Sequence, residues 1–175
     1  MKSIAESGRL DKGKIDLENK TFRSSTGELF MDVGKLNWKA ITPKTEAYAL
    51  LDGQSLRGDF ASVKSLTAQA SVLISAYDNK PLRDSNRILI LHLTDVMNSR
   101  QKFATPEKDV LLERGERLSA ENPLLVRAGK IRITVDSPLD GFKLYAVDLD
   151  GSRVFEVPMK IENGKSRFTL RNVTP

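Results

Sequence analysis

The sequence Arg-Ile-Leu-Ile-Leu-His-Leu-Thr-Asp, at residues 87–95, is the richest apolar run of the chain and has the length of a β-strand. In an extended chain, successive side chains point to opposite faces. The two isoleucines and His92 therefore share one face, and the three leucines occupy the other. Because both faces are apolar over most of the run, we predict a central strand of a sheet that is covered on both sides.

The same alternation recurs along the chain, with turn residues at short intervals. Residues 70–77 precede the central strand across Asp78-Asn79-Lys80-Pro81, and we expect these two strands to pair antiparallel. Other predicted strand pairs flank a glycine, which adopts positive φ without a Cβ clash. They are residues 28–33 and 35–41 around Gly34, 45–51 and 54–60 around Asp52-Gly53, 123–127 and 130–135 around Ala128-Gly129, and 141–149 and 153–157 around Asp150-Gly151; a last strand, 166–172, follows Asn163-Gly164.

Short strands separated by turns are typical of a sandwich or barrel, and 175 residues fit one domain. We predict an all-β protein, an antiparallel two-sheet β-sandwich of immunoglobulin-like or jelly-roll-like type, over residues 21–175. Residues 1–20 are expected to form a polar lead-in or a peripheral strand. Thr105-Pro106 leaves open a short helix near residues 105–113. The predicted core contains Val72, Ile74, Ile88, Ile90, Leu91, Ile133 and Leu144.

Composition excludes several classes of function. The chain has no cysteine and one histidine, which excludes disulfides, thiolate metal sites, cysteine nucleophiles and multi-histidine metal centres. No run of apolar residues is long enough to span a membrane as a helix. The net charge is +5, but 28 basic residues are interleaved with 23 acidic ones, so nucleic-acid binding is disfavoured.

No catalytic or metal site is predicted, and no cofactor. The carboxylates of Asp95, Asp109, Glu113 and Glu116 lie close together in the chain, and the simplest interpretation is solvated charge around a loop. His92 either acts as a general acid or base or is a hydrogen-bonded interior imidazole, and we favour the second interpretation. Asp148-Leu149-Asp150-Gly151 resembles the start of a calcium loop but lacks the later glutamate, so a hairpin turn explains it better.

Carbohydrate recognition would need exposed aromatic rings, and three residues are candidates for such contacts: Trp38, Tyr48 and Tyr77. Trp38 alternates with Leu36 and an alanine, which favours a position in the core. The two tyrosines lie in predicted strands, where a half-buried ring with its hydroxyl at the surface is expected. For each of the three, core packing is favoured over ligand contact.

Several strand and turn segments resemble a known family. Residues 25–32, Ser-Thr-Gly-Glu-Leu-Phe-Met-Asp, and the Thr-Pro-Lys-Thr of residues 42–45 are similar to the S-x-T-G-E-L-x-W-D and D-T-P-x-T-Q segments of a β-sandwich module. That module accompanies the catalytic barrel in several bacterial glycoside hydrolases. Residues 87–98 resemble its R-x-L-L-x-x-L-T-D-x-x-N-T segment, and the likeness continues through residues 123–126 and 144–151.

The resemblance implies a role without catalysis. The family's catalytic carboxylates lie on a (β/α)₈ barrel of about 250 residues, which this chain is too short to contain. Two positions depart from the family pattern: Met31 replaces its tryptophan and Glu46 its glutamine. The resemblance favours a secreted or periplasmic parent protein, and two alternatives stay open: this chain is a fragment of such a protein, or it is a stand-alone protein.

Three hypotheses follow. The leading one is a non-catalytic accessory module of a carbohydrate-active hydrolase, whose partner is the catalytic barrel of the same parent protein and whose isolated chain is not an enzyme. The second is a self-sufficient carbohydrate-binding module that holds polysaccharide through Trp38 and a surface tyrosine. The third is a basic polyanion-binding or protein-interaction domain. An exposed apolar patch on one sheet would favour the first.

Overall fold

The computed structural model describes residues 12–99 and 121–172, and nearly all regular structure in these residues is β-strand. A 3-10 turn at Lys12–Lys14 precedes the strands. In chain order the strands are β1 (Ile15–Asp16), β2 (Thr21–Arg23), β3 (Leu29–Asp32), β4 (Asn37–Ile41), β5 (Thr45–Leu50), β6 (Ser55–Arg57), β7 (Ala61–Ser65), β8 (Ala70–Ala76), β9 (Ile88–Leu93), β10 (Val96–Ser99), β11 (Glu121–Val126), β12 (Lys130–Val135), β13 (Leu144–Val147), β14 (Arg153–Val157), β15 (Met159–Glu162) and β16 (Lys165–Arg171).

The strands form two main antiparallel sheets. The first has seven strands in the order β1-β2-β3-β4-β5-β8-β9, and the second has five in the order β15-β16-β12-β7-β6. Two further ribbons, β10-β11 and β13-β14, are also antiparallel. The predicted all-β, sandwich-like class is therefore confirmed. No helix in the described residues is long and apolar enough to cross a membrane.

The core lies between the two main sheets, because alternate residues of each sheet face the other. Buried side chains from both sheets form one cluster: Tyr48, Leu50, Ala70, Val72 and Ile74 from the first, and Ala61, Val63, Ile131, Ile133, Val135 and Phe168 from the second. Of the predicted core, Val72, Ile74 and Ile133 are buried, and Ile88, Ile90 and Leu144 pack partly buried against them. Leu91 is 39% exposed, so its assignment to the core was wrong.

Two predicted hairpins are wrong because their strands belong to different sheets. Gly53 adopts positive φ, as expected, but the turn carries the chain from β5 of the first sheet to β6 of the second. Likewise, β11 pairs with β10, whereas β12 pairs with β7 and β16. The turn at Asp52-Gly53 was predicted correctly, whereas residues 127–129 form no turn. Turn chemistry does not determine whether the following strand continues in the same sheet.

Other hairpins form as predicted. The strands on either side of Gly34 pair, although Leu36 rather than the glycine takes the left-handed conformation, with φ of 53°. Strands β13 and β14 pair across Gly151. Strand β15 was not predicted; it pairs with the predicted last strand, β16, across Asn163-Gly164, where both residues have positive φ. Strands β8 and β9 pair antiparallel, also as predicted.

Strand β9 is the last strand of the seven-stranded sheet, so the prediction of a central strand was wrong. Apolar residues on both faces indicate only that both faces avoid charge; they do not determine the position of a strand in the sheet. At the other edge, β1 pairs with β2, so residues 15–16 are a peripheral strand. The short helix considered near residues 105–113 lies outside the described residues.

Candidate functional site

The outer face of the seven-stranded sheet, which we call the apolar face, carries no charged side chain at the strand positions that the structure describes. Its residues follow from the strand registers, since positions paired across strands share a face. One row crosses all seven strands: Ile15, Phe22, Met31, Trp38, Ala49, Ser71 and Leu93. Beside it lie the rows Leu29, Ala40, Ala47, Leu73, Leu91 and Thr45, Ser75, Leu89.

Much of this face is open to solvent. Leu93 is 58% exposed, Leu29 is 42% exposed, and Met31 and Leu91 are each 39% exposed. At about 4.8 Å between strands and about 6.7 Å between successive residues of one face, the rows cover about 500 Å². This is the area of sheet that the rows span, and Thr45, Ser71 and Ser75 interrupt its apolar side chains. Exposed apolar patches of a few hundred Å² are often functional.

A groove of about 300 Å³ crosses one end of the apolar face. Leu36, Trp38, Leu51 and Leu93 supply apolar side chains to its lining. Gln69 and Asp95 supply polar groups, and the Gln69 amide donates a hydrogen bond to the Asp95 carboxylate. The groove thus combines one aromatic ring with hydrogen-bonding groups.

Asp95 is held in place from a second side. The Nε of Arg127 lies 3.0 Å from the Asp95 Oδ2, and the backbone N–H of Arg127 donates to the Asp95 carbonyl at 2.8 Å. The ion pair fixes the carboxylate at the end of the groove. Asp109, Glu113 and Glu116, which were considered together with Asp95, lie outside the described residues.

Trp38 is half-buried in the outer face, so its assignment to the core was wrong. Alternation predicts that Leu36, Trp38 and Ala40 share one strand face. Strand β4 begins at Asn37, and the positive φ of Leu36 places that residue in the preceding turn. Trp38 and Ala40 do share a face, but it is the face that points away from the second sheet.

Tyr48 lies in the core and is 1% exposed, so its ring does not reach a ligand in solution. Its hydroxyl donates to the Glu46 Oε2 at 2.6 Å. Burial and the neighbouring Glu46 carboxylate raise the pKa of Tyr48 far above its ordinary value, because both disfavour the phenolate. Tyr48 therefore serves as a neutral hydrogen-bond donor and is not a carbohydrate contact.

The Glu46 carboxylate joins the two main sheets. Although Glu46 belongs to β5, its Oε1 accepts the backbone N–H groups of Asp59 and Phe60, each at 2.6 Å, and its Oε2 accepts that of Ala61 at 3.0 Å. Asp59 and Phe60 lie in the turn that connects β6 and β7 of the second sheet, and Ala61 is the first residue of β7. Such a buried carboxylate, fully hydrogen-bonded, fixes the turn in one position.

Gly58 leaves the space that this arrangement needs. A Cβ atom at this position would overlap the Tyr48 hydroxyl and lie 2.6 Å from the Glu46 carboxyl carbon. In the sequence, Glu46 stands out only as a departure from the family pattern. A charged residue at an inward-facing strand position, two residues before a tyrosine, was the available indication of a buried network.

Tyr77 is 66% exposed, but the structure does not bring it to the groove. It lies six positions along the chain from Ser71, which shares a row with Trp38, so an extended chain separates them by about 20 Å. The guanidinium of Arg87 covers one face of the Tyr77 ring at 4.9 Å. Tyr77 and the half-buried Trp38 therefore do not form one binding surface.

His92 lies on the inner face of β9, next to Gly129, where a Cβ atom would be 3.3 Å from the imidazole Nε2. Both ring nitrogens are buried, and neither has a hydrogen-bond partner among the described residues. The predicted hydrogen-bonded imidazole is therefore not observed. Desolvation lowers the pKa of His92, because burial disfavours the imidazolium ion.

The aspartates near residue 150 stabilise a turn. The Asp150 Oδ1 accepts the Ser152 N–H at 2.8 Å, and the Gly151 N–H donates to the Asp148 carbonyl at 2.9 Å. The hairpin-turn interpretation is confirmed. Among the described residues, no group of three or more histidine, aspartate or glutamate side chains is arranged to hold a metal ion.

The chain was compared with protein-family models, curated proteins and solved structures, and none of the three comparisons found a match.

Proposed function

We propose that this chain is a non-catalytic accessory module of a carbohydrate-active hydrolase and that it docks on the catalytic barrel of its parent protein through the apolar face. The single observation that carries the docking is the uncharged, solvent-exposed outer face of the seven-stranded sheet. The nature of the partner rests on the resemblance of residues 25–32, 42–45 and 87–98 to such modules.

The size of the apolar face fits this role. A stable protein–protein interface buries about 800 Å² on each partner, so the face of about 500 Å² would form the apolar centre of one. Leu36 and Leu51, exposed beside the groove, would extend it. Interfaces of this kind have an apolar centre with few charges.

The test is complex formation between this chain and the catalytic domain of the parent protein, followed by sedimentation velocity. We expect a 1:1 complex that the double substitution Leu91→Glu/Leu93→Glu abolishes. Because both side chains project into solvent, this variant keeps its fold, which circular dichroism checks. A matched control, Lys64→Gln/Arg132→Gln, alters the opposite sheet and should leave the complex intact.

Two results would overturn the proposal. One is the absence of a complex, or equal weakening of the complex by both double variants. The other is glycosidase turnover by this chain alone that one carboxylate substitution abolishes.

A second candidate function is carbohydrate binding by this chain alone, and the groove beside Trp38 favours it. A sugar ring packs its apolar face on an aromatic ring while polar neighbours bind its hydroxyls, and Gln69 and Asp95 provide such neighbours. Trp38 is the sole tryptophan of the chain, so its fluorescence reports directly on the groove. A saturable change of emission with a neutral oligosaccharide would support this function, and no change across a glycan panel would exclude it.

A further inference from the structure

The outer face of the five-stranded sheet, which we call the basic face, has the opposite character to the apolar face. Its side chains alternate with the core residues of β6, β7, β12, β15 and β16. The cations on it are Arg57, Lys64, Lys130, Arg132, Lys160, Lys165, Arg167 and Arg171, and they are joined by the hydroxyls of Ser55, Ser62, Thr134 and Thr169. The acidic side chains in contact with it are those of Asp136 and Glu162.

The acidic side chains neutralise one end of the basic face. Asp136 forms ion pairs with Arg57 and Lys165, and these cations together lower the pKa of its carboxyl group. Glu162 lies 3.7 Å from Arg167. Within the described residues, Lys64, Lys130, Arg132 and Arg171 have no ion-pair partner. The excess of cations on this face is enough to account for the net charge of +5 of the whole chain.

Three pairs of like charges stand directly opposite each other on neighbouring strands, and one of them is Lys160 on β15 with Arg167 on β16. Lys64 on β7 is the register partner of Arg132 on β12, and Lys130 on β12 is the partner of Arg171 on β16. Directly opposed like charges destabilise a sheet, with Cβ atoms about 5 Å apart. An anion bound between the members of each pair would remove this repulsion.

A shallow depression of about 240 Å³ lies among these cations. Lys64, Arg132 and Arg167 border it, together with Ser62 and Thr134. Guanidinium groups bind carboxylate or sulfate groups through paired hydrogen bonds, and hydroxyls bind other hydroxyls. The lining therefore suits a ligand that carries both anionic groups and hydroxyls.

We propose that the basic face binds a linear acidic polysaccharide, with carboxylate or sulfate groups between the opposed cations and sugar hydroxyls on the serines and threonines. No aromatic side chain projects from this face in the described strands, so the base stacking that favours single-stranded nucleic acid is missing. A flat sheet face also lacks the helix or ribbon that enters the groove of a duplex. This proposal is independent of docking through the apolar face.

The test is calorimetric titration of the full chain with polygalacturonate, heparin, neutral dextran and duplex DNA, at about 50 mM and about 200 mM salt. We expect binding of an acidic polysaccharide that weakens on the order of tenfold with the added salt, and no binding of dextran. Preference for polygalacturonate or heparin identifies the anionic group as carboxylate or sulfate.

Two double variants separate the basic face from net charge. Lys64→Gln/Arg132→Gln should weaken binding by about tenfold or more, because it removes two charge-assisted contacts. Lys44→Gln/Lys80→Gln removes the same charge from loops at the end of the first sheet and should change the affinity by less than about twofold. The variant Leu91→Glu/Leu93→Glu should still bind the acidic polysaccharide. This result distinguishes polysaccharide binding by the basic face from docking through the apolar face.

Three results would overturn the proposal. They are equal weakening by the Lys64/Arg132 and Lys44/Lys80 variants, tighter binding of duplex DNA than of either acidic polysaccharide, and no binding of an acidic polysaccharide at the lower salt concentration.

Discussion

The two outer faces of this sandwich share one core but present opposite chemistry to solvent. The apolar face of the seven-stranded sheet carries alanines, leucines, hydroxyls and Trp38, and no charge. The basic face of the five-stranded sheet carries opposed lysines and arginines. An isolated soluble sandwich usually has polar side chains on both outer faces. The apolar face departs from this expectation, whereas the basic face is polar but carries mainly one sign of charge. We infer that the two faces have different partners.

The largest expected effect comes from replacing the Glu46 carboxylate, whose hydrogen bonds connect the two main sheets. Glu46→Gln replaces a carboxylate that accepts four hydrogen bonds with an amide that places N–H groups against backbone donors. We expect a loss of about 3 kcal/mol in the free energy of unfolding. Urea denaturation measures it. The substitution Glu28→Gln, at an exposed position, serves as control and should lower the free energy of unfolding by less than about 0.5 kcal/mol. An equal decrease for both variants would mean that the hydrogen bonds of Glu46 do not stabilise the contact between the sheets.

The next largest effect is a difference in stability loss between substitutions on the inner and the outer side of β9. Ile90→Ala should lower the free energy of unfolding by about 2 kcal/mol, because Ile90 packs against the core. Leu91→Ala should lower it by less than about 1 kcal/mol, since the side chain is 39% exposed. The adjacent positions share backbone and register, so each is the control of the other. A loss as large at Leu91 would mean that the outer side of β9 is covered in the isolated chain.

A third prediction concerns the pH dependence at the same strand. The pKa of His92 is lowered in the folded state, so between its ordinary value near 6.5 and the lowered value the unfolded chain binds more protons. Stability should therefore fall as the pH decreases through this window. His92→Phe removes the titrating group, and its unfolding free energy should change less between pH 7.5 and 5, as measured by urea denaturation at about these values. If the unfolding free energy of His92→Phe depended on pH as strongly as that of the unsubstituted chain, a lowered pKa of His92 would be contradicted.

The smallest expected effect on stability comes from single charge substitutions on the basic face. Arg132→Gln relieves repulsion from Lys64 and should raise the unfolding free energy by about 0.3 kcal/mol at low salt. Arg57→Gln removes a partner of Asp136 and should lower it by a similar amount. Thermal denaturation at two salt concentrations checks the signs. Both differences should shrink at high salt, because exposed charges are screened.

Alternation along each strand predicted much of the inner surface correctly. Val72, Ile74 and Ile133 were predicted from two-residue periodicity and are buried. The errors occurred where the same alternation of apolar residues fits either face of the sheet. Trp38 and Leu91 alternate correctly but face outward, because periodicity separates two faces without identifying which one meets the other sheet.

The candidate surfaces were harder to predict from the sequence than the core. The acidic and basic residues are interleaved along the chain, which hides a basic face made of alternate positions on five strands. Lys64 and Arg132 lie far apart in sequence and become neighbours only through the pairing of β7 with β12. The buried network of Glu46 is of the same kind, because its backbone donors belong to the other sheet.

The sequence by itself determined the all-β class, the hairpin at Gly151 and the alternation of each strand, because these depend on neighbours within a few residues. The tertiary structure alone decided which sheet each strand joins, that β9 lies at an edge and which outer face carries charge. The physical reason is that sheet membership depends on contacts between residues distant in the chain. A turn such as Asp52-Gly53 reverses the chain equally well within a sheet or between two sheets.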